Sequence, residues 1–142
     1  MSNTILDQAM NHAFEKLEAA GGDPARLELP LQTVVVVFAA QGIIDNGGLE
    51  LFFESDFPGQ PPYSFISDAY RRIGAVPLAE CIDSAAMLFP FEAPHLAQER
   101  RRAFLAEAAQ DPGHLLGRFS DSICGDEGVW THLNTYILKN RA

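Results

Sequence analysis

Residues 33–44, "TVVVVFAAQGII", run directly into "DNGG" at 45–48, and the way that junction folds decides what the rest of the chain can be. Four consecutive valines favour a strand, because branching at Cβ suits a pleated surface. Asn46-Gly47 between apolar runs is also a strong β-hairpin signal. The spacing argues the other way. Leu31, Val34, Val35, Phe38 and Ala39 share one helical side, Val37, Ala40 and Ile44 fill the rest, and Leu49, Phe52 and Phe53 recur at i, i+3, i+4. A strand here has no second convincing strand to pair with, and a lone two-stranded hairpin is marginal in water. Gly42 would also interrupt its first arm. β-propensity spans only ~1 kcal/mol, which packing can override. The segment therefore reads as a buried central helix, apolar nearly all round. Asn46 or Gly47, in the left-handed conformation, ends it. A second helix then starts at Leu49.

Helical spacing recurs on both sides of this corner. Residues 4–20 place Leu6, Met10, Ala13, Phe14 and Leu17 on one side, with Thr4 and Asp7 in capping-box positions and Gly21-Gly22 as the stop. Pro30 suits the first turn of the central helix. Pro62 opens a helix that keeps Ile66, Ala69, Tyr70 and Ile73 in register until Gly74, and Pro77 opens another that Pro90 closes. "HLAQERRRAFLAEAAQ" is built from strong helix formers. The last segment, "DEGVWTHLNTYILKN", carries Val129, Trp130, Leu133, Tyr136 and Ile137 as its apolar stripe. The expected fold is all-α: one domain spanning residues 1–142, a compact bundle of about six to seven helices.

With 142 residues the chain is long enough for one real core, and 47% apolar with 20% charged residues describes an ordinary globule rather than a disordered chain. Residues 1–70 hold ten acids and two bases (10 − 2, or −8), whereas residues 71–142 hold nine acids and eight bases (−1), which together give the formal net charge of −9. An acidic half repels nucleic acid and anionic membrane and attracts basic partners. The N-terminus lacks a basic region followed by an apolar block, and no apolar stretch reads as approaching the ~20 residues that span a bilayer. The expectation is a cytoplasmic protein with no membrane and no direct nucleic-acid contact.

Little in the sequence suggests chemistry. His12, His95, His114 and His132 are separated, with no metal-ligand spacing among them. His95 reads as a surface residue, His132 as a partly buried, hydrogen-bonded imidazole, and Cys81 as a buried free thiol. No Gly-x-Ser-x-Gly or phosphate loop occurs. "DSICGDEG" lacks the alternating ligands and closing glutamate of a calcium loop and reads as a helix cap built from Asp126. The arginines of "ERRR" (99–102) fan around a helix and read as a solvated face pairing with nearby carboxylates. No catalytic residue, metal site or cofactor is expected.

The run "FAAQGIIDNGGLELFFES", followed by "AYRRIGAVPLAECIDSA", resembles a bacterial family of formerly unknown function that includes a DNA-mimic protein. The pattern is carried by Asn46, Gly47, Gly48, Phe52, Phe53, Ile73, Gly74 and Ala75. It covers residues 30–105 well and the "LNTYILKN" tail more weakly, leaving residues 1–29 as an N-terminal helix and linker outside a family-like core at 30–142. "SDFPGQPPYSF" departs from it with three prolines. The resemblance implies an all-helical fold, no known catalysis, and, for its characterised member, a dimer that binds a DNA-binding protein in place of DNA.

Two acidic groups are the candidate partner-binding residues. Asp7, Glu15 and Glu18 fall within about 80° of arc on the first helix. Asp45, Glu50, Glu54 and Asp56 surround the glycine corner, and Glu50–Glu54 is a like-charge i, i+4 pair that costs a few tenths of a kcal/mol. Asp7 to Glu18 span about 16 Å. Each DNA strand would present roughly five phosphates over that length. One helix is too sparse, so mimicry needs several elements or a homodimer to align their carboxylates. The expected function is a non-catalytic acidic inhibitor or regulator, with a DNA-binding regulator as the basic partner. The alternative is an immunity protein capping a basic bacterial toxin, and a small-molecule enzyme stands a distant third. The Pro-rich loop 57–62 is a rival, hydrophobic contact surface.

Overall fold

The computed structural model describes residues 4–123 and 127–140, and among them it has seven α-helices and no strand. In chain order these are α1 (Thr4–Ala19), α2 (Leu29–Glu54), α3 (Tyr63–Arg72), α4 (Val76–Ala86), α5 (Gln98–Ala108), α6 (Leu115–Ile123) and α7 (Glu127–Lys139), with short 3-10 turns at Pro24–Arg26 and Pro94–Leu96. The all-α expectation holds. The suggested cap at Asp126, the residue Cys124 and the Thr4 side chain lie outside the described parts of the chain.

α2 is the axis of the bundle, and α1, α3, α5, α6 and α7 all pack against it. Val34, Val35, Val36 and Val37 are all buried, on every side of the helix. Helix propensity penalises four valines by at most about 3 kcal/mol together. Burying each is worth roughly 1.5–3 kcal/mol, so packing wins. By length and composition α2 is long and apolar enough to cross a bilayer, which corrects the expectation that no stretch approaches that length. The reason is that the apolar run continues past Asn46-Gly47-Gly48, with Asp45, Glu50 and Glu54 as its charges. Its flanking helices cover it, so it is the bundle's core helix.

The corner departs from the expectation in one respect. Neither Asn46 nor Gly47 supplies the left-handed residue: Gly47 sits at φ −146°, and Gly48 takes φ 72°, ψ −172°. That is a region open essentially only to glycine. The helix therefore kinks at Gly47–Gly48 and resumes at Leu49. A second glycine turn links α3 to α4. Gly74, at φ 90°, lets Ala75 N–H reach Tyr70 O (2.9 Å) and Gly74 N–H reach Arg71 O (3.0 Å). This is the paired arrangement that closes helix C-termini.

The C-terminal end of α2 carries Phe52 and Phe53 into an aromatic cluster with Phe57, Tyr63 and Phe89, ring centroids 4.9–5.7 Å apart. Buried among these elements is Arg101, fully excluded from solvent. Its Nε donates to Phe53 O and its Nη1 to Pro94 O, both at 2.7 Å, and its Nη2 pairs with Asp56 Oδ1. This corrects the solvated reading for Arg101 alone: Arg100 and Arg102 are exposed, and the expected pairing with a carboxylate is made by the buried member of the run. Arg101, Leu105 and Ala108 lie at i, i+4, i+7 on the buried side of α5, and the guanidinium satisfies carbonyls that burial would otherwise orphan.

Candidate protein-binding surface

The kink at Gly48 frees the backbone N–H of Leu49 from the helical ladder, and Ser120 of α6 accepts it (Leu49 N to Ser120 Oγ, 2.9 Å). A Cβ on Gly48 would lie 2.8 Å from Glu50 Oε1, so the Glu50 side chain folds back over the corner. Glu50 and Glu54 are both exposed, and neither makes an ion pair or hydrogen bond among the described residues.

Asp45 and Asp56, expected on the same surface, are engaged by the fold. Asp45 Oδ1 accepts from Gln41 Nε2 (2.7 Å) and Oδ2 from Trp130 Nε1 (3.0 Å). Tyr70 OH in turn donates to Gln41 Oε1 (2.9 Å), so a polar chain runs from α3 through α2 to α7. Burial, and then the Asp45 charge, push the Tyr70 phenol well above its ordinary range. Asp56 carries the ion pair to Arg101 described above.

Asp7, Glu15 and Glu18 are all exposed on α1, and their side chains make no ion pair or hydrogen bond among the described residues. α1 is held to the bundle by Met10 and Ala13, both buried, and by Phe14 edge-on to Phe38 (5.9 Å). Phe38 meets Trp130 (5.7 Å), whose indole N–H holds Asp45. An aromatic row thus connects the acidic helix to the first carboxylate of the corner.

Other sequence expectations fare unevenly. His132 is exposed rather than partly buried, because it lies on the outer side of α7, passing over the Gly74 turn. His95 is half-buried against the Tyr63 ring (6.4 Å) rather than on open surface. Cys81 is half-buried, its thiol directed at Phe119 O (3.5 Å). In loop 57–62, Phe57 is half-buried on the Phe52 ring (5.3 Å), which leaves Pro58, Gly59 and Gln60 as its exposed tip. The roles of Arg101, Ser120 and Trp130 were not anticipated. Arg101 alone left a signal, since it occupies an apolar register position in α5.

Among the described residues no group of three or more His, Cys, Asp or Glu is placed to hold a metal ion. The fold and this surface define an all-α protein bearing exposed carboxylates on a regular helix and at a helix corner. The chain belongs to the DMP19-like protein family, whose model matches residues 25–140. The match runs further in both directions than the resemblance at 30–105, while most of the first 29 residues, α1 included, stay outside it. The family takes its name from a DNA-mimic protein and is non-enzymatic. No curated protein and no solved structure matches the chain.

Proposed function

We propose that this chain is a non-catalytic, cytoplasmic regulator that occupies the nucleic-acid-binding site of a basic DNA-binding protein. The family match over residues 25–140 carries the reading. The exposed carboxylates of Asp7, Glu15, Glu18, Glu50 and Glu54 support it, because they are among the charges that the fold leaves to meet lysines and arginines. Asp45 and Asp56 act mainly in shaping that surface. A homodimer would double the row of acids that a single α1 supplies too sparsely.

Affinity capture from the native cell tests this. The expected product is a DNA-binding protein that competing duplex releases and that dissociates as salt rises from roughly 50 to 500 mM, where screening shortens the reach of surface charge. Capture of a partner indifferent to both salt and duplex would overturn the proposal. Recovery of a basic toxin whose activity the chain blocks would replace it with the immunity reading.

A further inference from the structure

α1 does more than carry acids. It forms one wall of a groove of about 400 Å³ whose other walls are the start of α2 and the end of α7. The floor is apolar: Val34 and Ile137 are buried, and Ala9 and Leu31 half-buried. The rim is polar and exposed, with His12 on α1 and Glu28 at the start of α2. Glu28 is the N-cap of α2, yet its carboxylate caps no backbone N–H and makes no ion pair or hydrogen bond among the described residues. A volume in the roughly 300–1,000 Å³ range of sites that enclose small groups leaves room for a whole side chain.

We infer that this groove receives an arginine or lysine side chain of the protein partner, with its aliphatic stem on the apolar floor and its cationic head at Glu28. The inference rests on the acidic-surface reading above and gives that surface an anchor. Long basic side chains divide themselves in this way between apolar surface and a polar edge. A planar guanidinium also stacks on a flat ring, and His12 offers one on the rim of the same groove. The net charge of α1 favours a cation, since Asp7, Glu15 and Glu18 outnumber Lys16 on the helix that forms one groove wall. Buried basic anchors in such pockets dominate protein interfaces, whereas exposed charges mainly steer the approach. Glu28 and the α2 and α7 walls lie within the family-matched segment, whereas the α1 wall with Ala9 and His12 lies outside it.

The test uses a short peptide of alternating leucine and arginine as probe, a leucine–glutamate peptide as control, and fluorescence anisotropy at low salt. Glu28→Gln removes the head-group partner and is expected to weaken the arginine peptide about tenfold. Ala9→Trp, which fills the groove, should weaken it at least as much. Circular dichroism verifies that α1 remains helical, and Glu28→Gln, at an exposed position without a cap bond, guards against a folding artefact. Binding unchanged in both variants but lost when Asp7, Glu15 and Glu18 are reversed to lysine would overturn the groove and leave the acidic surface standing. Loss in the groove variants with the triple reversal harmless would do the opposite. No binding of the arginine peptide to the wild-type chain would overturn both.

Discussion

The acidic helix and the acidic corner look alike by residue count, three carboxylates against four, but they put their charges to different use. On α1 all three point outward and none is engaged among the described residues. At the corner Asp45 is held by Gln41 and Trp130, Asp56 by Arg101, and only Glu50 and Glu54 remain unengaged. The difference follows from the backbone. A regular helix satisfies its own N–H and C=O groups, so an acid on its outer face has nothing nearby to serve. A kink and a loop end leave donors and carbonyls open, and the fold recruits acids and bases around them. An acid beside a break in a helix is therefore a poorer guide to a partner surface than one in the middle of a helix.

The largest effect that would break this contrast is at Arg101. Replacing it with leucine strands Asp56, Phe53 O and Pro94 O, and losing one partner of a buried pair costs about 3 kcal/mol or more, the low side of the usual range because Asp56 keeps some exposure. Urea denaturation reads it, and a loss under about 1 kcal/mol would mean that Arg101 does not hold Asp56 in place. Next is Gly48→Ala. It forces a Cβ into a glycine-only conformation and to within 2.3 Å of Ser120 Oγ, which predicts a loss of about 2–3 kcal/mol in the same assay. An unchanged midpoint would mean that the corner relaxes freely and does not fix its carboxylates.

A third expectation concerns alkaline pH beside the Asp56 corner. Burial pushes the Tyr63 phenol up to about 12 against an ordinary 10.0, with Arg101 pulling it down and Asp56 pushing it up. A raised phenol binds its proton more tightly in the folded state. Its contribution is therefore complete below pH 10 and is lost as pH climbs through about 12. Tyr63→Phe should flatten the fall in unfolding midpoint across that window. Smaller still, Asp45→Asn should cost about 1 kcal/mol and shift Trp130 emission, since the indole N–H loses a charged acceptor. The smallest stability change belongs to α1. Lysine at Asp7, Glu15 and Glu18 should each stay within ~0.5 kcal/mol of wild type, as surface substitutions do. A drop comparable to that of Arg101→Leu would erase the distinction between the two patches.

Much of the fold was legible because its strongest ambiguity had a physical resolution. The valine run had no partner strand and plenty of apolar company, so helix was the only state that buried it. α6 was not legible. "LLGRFSDSI" has Gly117 inside it and is opened by His114, whose Nδ1 accepts from Leu116 N–H (3.0 Å), rather than by Ser, Thr, Asp or Asn. Among its described side chains the buried positions are Leu116 and Ser120, too few to set a period. The candidate surface was half legible. Helical spacing placed Asp7, Glu15 and Glu18 on one outer face, but Asp56 and Arg101 are 45 residues apart, and nothing in either neighbourhood announces the pair. Glu28 and the groove escaped for the same reason, since the groove is completed by α7, far in sequence from α1 and α2.

The bond from Leu49 to Ser120 joins positions 71 residues apart, and this sets an order of events in the cell. A ribosome adding roughly 5–20 residues per second needs several seconds, up to about 14, to make the stretch between them. Throughout that interval the second half of α2 has emerged without its cap. The corner is thus among the last parts of the molecule able to lock, and contacts of such long range are the slow ones in folding. Nascent chains halted before residue 120 should leave the Leu49 amide at the corner open to hydrogen exchange, and its protection should coincide with the arrival of α6.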